Sequence, residues 1–178
     1  TLINDGYLNA NGRVGFAQGY NFDWNNPDPN SKPGMMITGG TLSARGEVVG
    51  FAVNGPVIWN GGTVNAHAEG PCDNSTGTWA QAVQVQEFSG NKENPYLEIN
   101  GGEHYLTAVD TSGSEASSKG LMIGYAPVII NGGMVNIDAE QALWSLGYVN
   151  ATNISSMTGV VTYLSMDSGE YLDIHGEL

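Results

Sequence analysis

Three groups of side chains in this 178-residue chain could do chemistry. The first is aromatic. Tyr20, Phe22 and Trp24 stand among Asp23, Asn25, Asn26 and Asp28. A sugar packs its CH face on an exposed ring and bonds its hydroxyls to polar neighbours, so that mixture has the makings of a glycan subsite. The competing use of the same rings is to fold back and cap the interior. Trp79, Tyr105 and Trp144 are further candidates for such a platform. The second group is acidic. Glu47, Glu69 and Glu140 fall at equivalent places in the repeat described below. Arg13 lies one repeat ahead of Glu47, and Thr111 lies between Glu69 and Glu140. Carboxylates on adjacent repeats repel unless a cation sits between them or they fan into water. Calcium is therefore the one candidate cofactor. The alternative is a solvated edge partly neutralised by Arg13. The third group is sparse. His67, His104 and His175 lack metal-ligand spacing. Cys72 has no neighbour that marks it as a nucleophile, and neither a G-x-S-x-G nor a P-loop is present.

Charge narrows the classes further. The chain has 18 acidic residues against 5 basic ones, a net charge of −13. Nucleic acid is excluded as a partner, because phosphate binding needs clustered Lys and Arg. An anionic membrane surface is disfavoured for the same reason, and no apolar run reaches the roughly 18 residues of a span. Polysaccharide lyases and hydrolases use paired carboxylates, or calcium with a Lys or Arg base. The cations here, Arg13, Lys32, Arg45, Lys92 and Lys119, fall mostly in expected loops and are not grouped. The chain therefore reads as non-catalytic. A lone cysteine makes no internal disulfide.

The elements that must position these residues come from a repeated phrase. Val128–Ile137 reads VIINGGMVNI: an apolar run, Asn131, a Gly132-Gly133 corner, then Val135-Asn136-Ile137. Copies occur as MMITGGTLSA from Met35, VIWNGGTVNA from Val57 and LEINGGEHYLTA from Leu97. Weaker ones are LINDGYLNA from Leu2 and MDSGEYLDI from Met166. Aligned on the apolar-polar-apolar triplet after the corner, the copies start at Leu8, Leu42, Val64, Leu106, Val135 and Leu172. Such alternation predicts a strand with one buried face. The shortest spacing, 22 residues from Leu42 to Val64, suits one turn of a three-strand coil. A second phrase pairs Gly with an aromatic: Gly15-Phe16, Gly50-Phe51, Gly124-Tyr125 and Gly147-Tyr148. It predicts an aromatic stack, with Ala82-Val83-Gln84-Val85 standing in for the missing copy. Trp59 takes the place of Ile in other coils, which predicts a core position.

The whole chain is thus expected to be one all-β domain of about six irregular three-strand coils, stacked as a parallel β-solenoid. Gly is 26 of 178 residues, about twice the usual share, which suits many tight corners. Asn4, Asn60, Asn100 and Asn131, with Thr38 among them, share one corner position. They predict either an amide ladder along the stack or simple turn preference. Loops are expected at Tyr20–Gly34, Gly70–Pro95, Thr111–Gly120 and Glu140–Met166. The ends, Thr1 inside a copy and Leu178 just past one, suggest part of a larger surface protein or a mature form without its leader. A β-sandwich is the competing fold, but it would not explain phrases that recur in one order.

The phrase I-N-G-G-x-V-N-A, with a Gly-rich bend and a second apolar strand beyond it, resembles a family. It is similar to the secreted right-handed β-helix proteins of Gram-positive and gut bacteria that carry carbohydrate-binding-domain repeats, and to adhesin-like surface repeats. The closest stretches are Met36–Ala66 and Gly120–Ala139. The resemblance implies a right-handed solenoid in an extracellular, secreted or cell-surface bacterial protein. It implies a carbohydrate-binding module, with polysaccharide as partner. A surface adhesin or stalk segment that binds a protein is the alternative.

Overall fold

A computed structural model of the protein describes residues 2–18, 35–53, 55–86, 96–114, 117–124, 126–145, 149–154, 156–158, 161–163 and 172–176. Among them the protein is all-β, without helix. β1 is Leu2–Ile3 and β2 is Tyr7–Gln18; β3 is Met35–Ile37 and β4 is Thr41–Val53. Next come β5 (Pro56–Trp59), β6 (Thr63–Gly70) and β7 (Gln81–Gln86). They are followed by β8 (Tyr96–Ile99), β9 (Glu103–Asp110) and β10 (Lys119–Gly124). β11 (Val128–Ile130), β12 (Met134–Asp138) and β13 (Gln141–Ser145) continue the series. β14 (Val149–Ile154), β15 (Ser156–Thr158), β16 (Val161–Tyr163) and β17 (Leu172–Gly176) complete it.

The strands pair in parallel with the strand one pass of the chain away. The seven-stranded sheet runs β1-β3-β5-β8-β11-β14-β17. In the ten-stranded sheet the long β4 is shared. Its residues 41–46 pair with β6 and its residues 49–53 with β7. One arm runs β4-β6-β9-β12-β15 and the other β4-β7-β10-β13-β16, while β2 lies alongside β4. Each pass therefore adds strands to three parallel stacks.

Period-two burial follows from this stacking. In β6, Val64, Ala66 and Ala68 are buried while the residues between them look outward. Like residues meet like across the pairing: Leu42, Val64, His104 and Val135 form one column, and Ala44, Ala66, Leu106 and Ile137 another. Ile37, Trp59, Ile99 and Ile130 form a third, in which Trp59 is fully buried as its position predicts. Each such aliphatic side chain contributes on the order of 1.5–3 kcal/mol by leaving water.

The corner explains the paired glycines. The second one has positive φ: 71° at Gly40, 74° at Gly62, 99° at Gly102 and 88° at Gly133. The first one is a matter of space. A Cβ at Gly61 or Gly101 would sit 2.7 Å from the carbonyl oxygen of Thr38 or Asn60 in the preceding pass. The asparagines form the ladder. Asn131 Nδ2 donates to Asn100 Oδ1, and Asn100 Nδ2 to Asn60 Oδ1, both at 2.9 Å. Thr38 Oγ1 donates to Asn4 Oδ1 at 2.8 Å. Asn100 also donates to Glu98 Oε1. Asn100→Ala removes three of these bonds from an exposed corner. It is expected to cost about 1 kcal/mol, since exposed amides regain water partners; urea unfolding will read it as a lower midpoint at unchanged slope.

Three expectations are corrected. The triplet Leu172-Asp173-Ile174 pairs with Val149-Asn150-Ala151 in the seven-stranded sheet, and not with the strands that follow the corner. The apolar-polar-apolar pattern is common to both, as Leu97-Glu98-Ile99 shows, so it does not say which sheet a strand joins. The Gly-aromatic phrases also fall out of line. Phe51 pairs with Val83, Val83 lies in register with Leu121, and Ile123 meets Val85. Leu121 thus stands in the Phe51 column where the phrase puts Tyr125, a slip of four residues; an even slip keeps the same face inward, so alternation alone did not detect it. The aromatic stack is Phe16 on Phe51, centroids 5.3 Å apart, and Tyr125 and Tyr148 lie outside the described residues. Finally, within Glu140–Met166, expected to carry a loop excursion, β13 falls in the part that sits on a strand register and reads as extended, Ala139–Leu146, but β14, β15 and β16 are strands beyond it.

Candidate functional site

After β6 the chain leaves the stack at Pro71 and returns at β7. The excursion closes on itself through an antiparallel bridge between Asp73 and Thr78. The Asp73 carboxylate accepts from Ser75 N, Ser75 Oγ and Thr76 Oγ1. Those bonds, Ser75 first, hold its pKa below the usual carboxylate range. Gly77 turns the loop with φ 67°. Cys72 is buried beneath it. Its N–H donates to Asp110 Oδ1 at 2.9 Å and its sulfur accepts from Ala80 N. Burial raises the Cys72 thiol, which makes it a packing residue.

The excursion delivers Trp79. Its indole Nε1 donates to Asn74 Oδ1 at 2.9 Å, which sets the ring's angle. Trp144 comes from β13, two passes on in the third stack. The ring centroids lie 6.5 Å apart with planes 31° apart. Both rings are half-buried. Between them lies Lys119, the first residue of β10 and only 4% exposed. Its ammonium sits 4.5 Å from the Trp79 ring centre and 5.8 Å from that of Trp144. It donates to Gln141 Oε1 at 2.9 Å and to Ser117 O at 3.3 Å. Burial lowers its pKa, and cation–π attraction to two rings offsets part of that cost. Beside it Glu140 Oε2 accepts from Ser118 N and Ser118 Oγ. So the sequence candidates Trp79 and Trp144 are brought together. Lys119, expected in a loop, is the residue that joins them. Nothing near it in the chain marks that role, because its partners arrive from other passes.

Tyr105 stands apart, 41% exposed on the outer face of β9, with Asn65 and Asn136 beside it in register. Its hydroxyl donates to Glu103 Oε1, and that bond raises its pKa. Tyr20, Phe22 and Trp24 lie outside the described residues.

The acidic group is arranged differently from expectation. Register places Glu69 beside Val109, so Thr111 is not its equivalent. Glu69 pairs with Arg45 and contacts His67 at 3.3 Å. The His67 hydrogen bond first, and then the Arg45 charge, lower its pKa. Asn11, Gly12, Arg45, Gly46, Glu47 and Glu69 line an open groove of about 240 Å³. A cation there would compete with the Arg45 guanidinium. Among the described residues no group of three or more His, Cys, Asp or Glu could hold a metal ion. With Arg45 already bonded to Glu69, these residues do not fit a calcium site.

Comparison with protein-family models, with curated proteins and with solved structures gave no match.

Proposed function

We propose that the protein is a non-catalytic carbohydrate-binding module of a secreted or cell-surface bacterial protein. Its parallel stacks are read as a right-handed three-sided β-helix, the hand following the repeat family it resembles. The observation that carries the function is the Trp79–Trp144 pair, held at a fixed tilt by Lys119 with ring area left to solvent. Rigid aromatic surface lowers the ordering cost of a flexible glycan. Asn74 and Gln141 supply polar neighbours for sugar hydroxyls.

The test is calorimetric titration of soluble neutral and acidic polysaccharides, with calcium and again with chelator. Trp144→Ala and Trp79→Ala are each expected to weaken binding by about tenfold or more, as loss of a stacked ring does. Unchanged binding in both variants would remove the platform. Failure of every glycan to bind the folded protein would favour the alternative, an adhesin or stalk segment. That reading draws on the amide ladder and the parallel pairing from pass to pass, which suit a stiff spacer.

A further inference from the structure

His104 occupies a column that is otherwise aliphatic: Leu42, Val64, then Val135 beyond it. It has no exposed surface. Nε2 lies 2.8 Å from Gly101 O, so in the neutral ring Nε2 carries the proton and donates to that corner carbonyl. Nδ1 is then a bare acceptor, and it is buried without a partner. The ring packs on Trp59 with centroids 4.8 Å apart, and the Trp59 indole N–H is also buried without a partner. Neutral His104 is tolerated beside an indole donor. A protonated ring would turn Nδ1 into a second unpaired donor in the same dry space.

We propose that His104 is an acid-sensitive switch built into the core, which loosens the Asn100-Gly101-Gly102 corner when Nδ1 takes a proton. Among the described residues the groups around the ring are Trp59 from β5, Val64 from β6, Val135 from β12 and the corner glycines, none of them ionisable. The one charge acting on it is Glu103, next to it in the chain. Burial outweighs the Gly101 hydrogen bond and the Glu103 charge, which both act the other way, and lowers the folded-state pKa below that of free histidine. The stability this contributes is full above about pH 6.5, the unfolded value, and is lost as pH falls below it toward the folded pKa. The corner carries the asparagine ladder and abuts β9, so its loosening would reach the outer face of the second stack.

The experiment compares melting temperatures at about pH 7.5 and about pH 5.5 for the wild type and His104→Leu, the residue its column holds at Leu42. The wild type is expected to lose roughly 3 °C or more, and the variant less than half as much. His67→Gln, which leaves the column intact, should keep the wild-type loss. An equal loss in His104→Leu overturns the proposal. Should that variant fail to fold, nitrogen NMR of the wild-type imidazoles decides. His104 is expected to titrate below the free-histidine value while the fold holds, with the amide signals of Asn100, Gly101 and Gly102 moving in step; titration near the free-histidine value, or corner amides that do not move with the ring, overturns the proposal.

Discussion

Gly102→Ala is expected to lower stability by roughly 3–5 kcal/mol or to prevent folding. Two costs add at this residue. Its φ of 99° is outside the range that L side chains favour, which alone costs about 1–2 kcal/mol. The new Cβ would also stand 2.5 Å from Gly62 O, 2.9 Å from Gly61 C and 2.9 Å from His104 Cε1. Two of those atoms are backbone of the neighbouring corner. They do not retreat easily, because Glu103 N donates to Gly62 O and Gly101 N to Trp59 O across the same gap. Gly6 provides the control. It has φ 87°, yet a Cβ there would meet nothing within 4 Å. Gly6→Ala should therefore show the conformational cost only, about 1–2 kcal/mol. Urea unfolding of the pair separates strain from stacking; equal losses would contradict the corner packing.

Trp59→Ala is expected to cost about 3–5 kcal/mol, through lost transfer energy and the cavity left behind. Trp59 is fully buried, meets Phe51 edge-on at 5.6 Å and an 85° angle, and packs on His104. Neighbouring passes supply Ile37 and Ile99 at the same place. Strands paired on both sides cannot collapse into the space without breaking backbone bonds. Trp59→Phe should cost much less and should remove the unpaired indole donor. Thermal and urea melts will read both; a loss below about 1 kcal/mol in Trp59→Ala would contradict a packed column.

What could be read from the chain follows the physics of its repeats. The Asn-Gly-Gly corner was legible because its two glycines answer to two local demands, positive φ and close approach, that few other residues meet. Trp59 was legible as core because it replaces isoleucine at a fixed phase. The order of strands was legible where a full Asn-Gly-Gly or Thr-Gly-Gly corner marks it and lost at the weak copy from Met166, whose triplet joins the other sheet. The displaced Gly-aromatic phrase was lost because a four-residue slip preserves alternation. Of the site, the rings of Trp79 and Trp144 could be named as candidates. Their union could not, since Lys119, Gln141 and Asn74 reach them from separate passes. The acidic edge, expected to be partly neutralised by Arg13, is met by Arg45 on Glu69; beside Arg13 the register shifts, because β4 carries one residue more than β2 between the Gly12–Gly46 and Val14–Val49 pairs.

The claim that matters most is that glycan lies against Trp79 and Trp144. The direct measurement is acrylamide quenching of tryptophan emission in a Trp24→Phe, Trp59→Phe background, where these two rings are the remaining emitters. It is run across neutral and acidic polysaccharides. The expected result is that at least one polysaccharide shields the emission in a saturable way and shifts its maximum. If none shields it while the fold stays intact, the two rings are not a carbohydrate platform, and a protein partner becomes the reading to pursue.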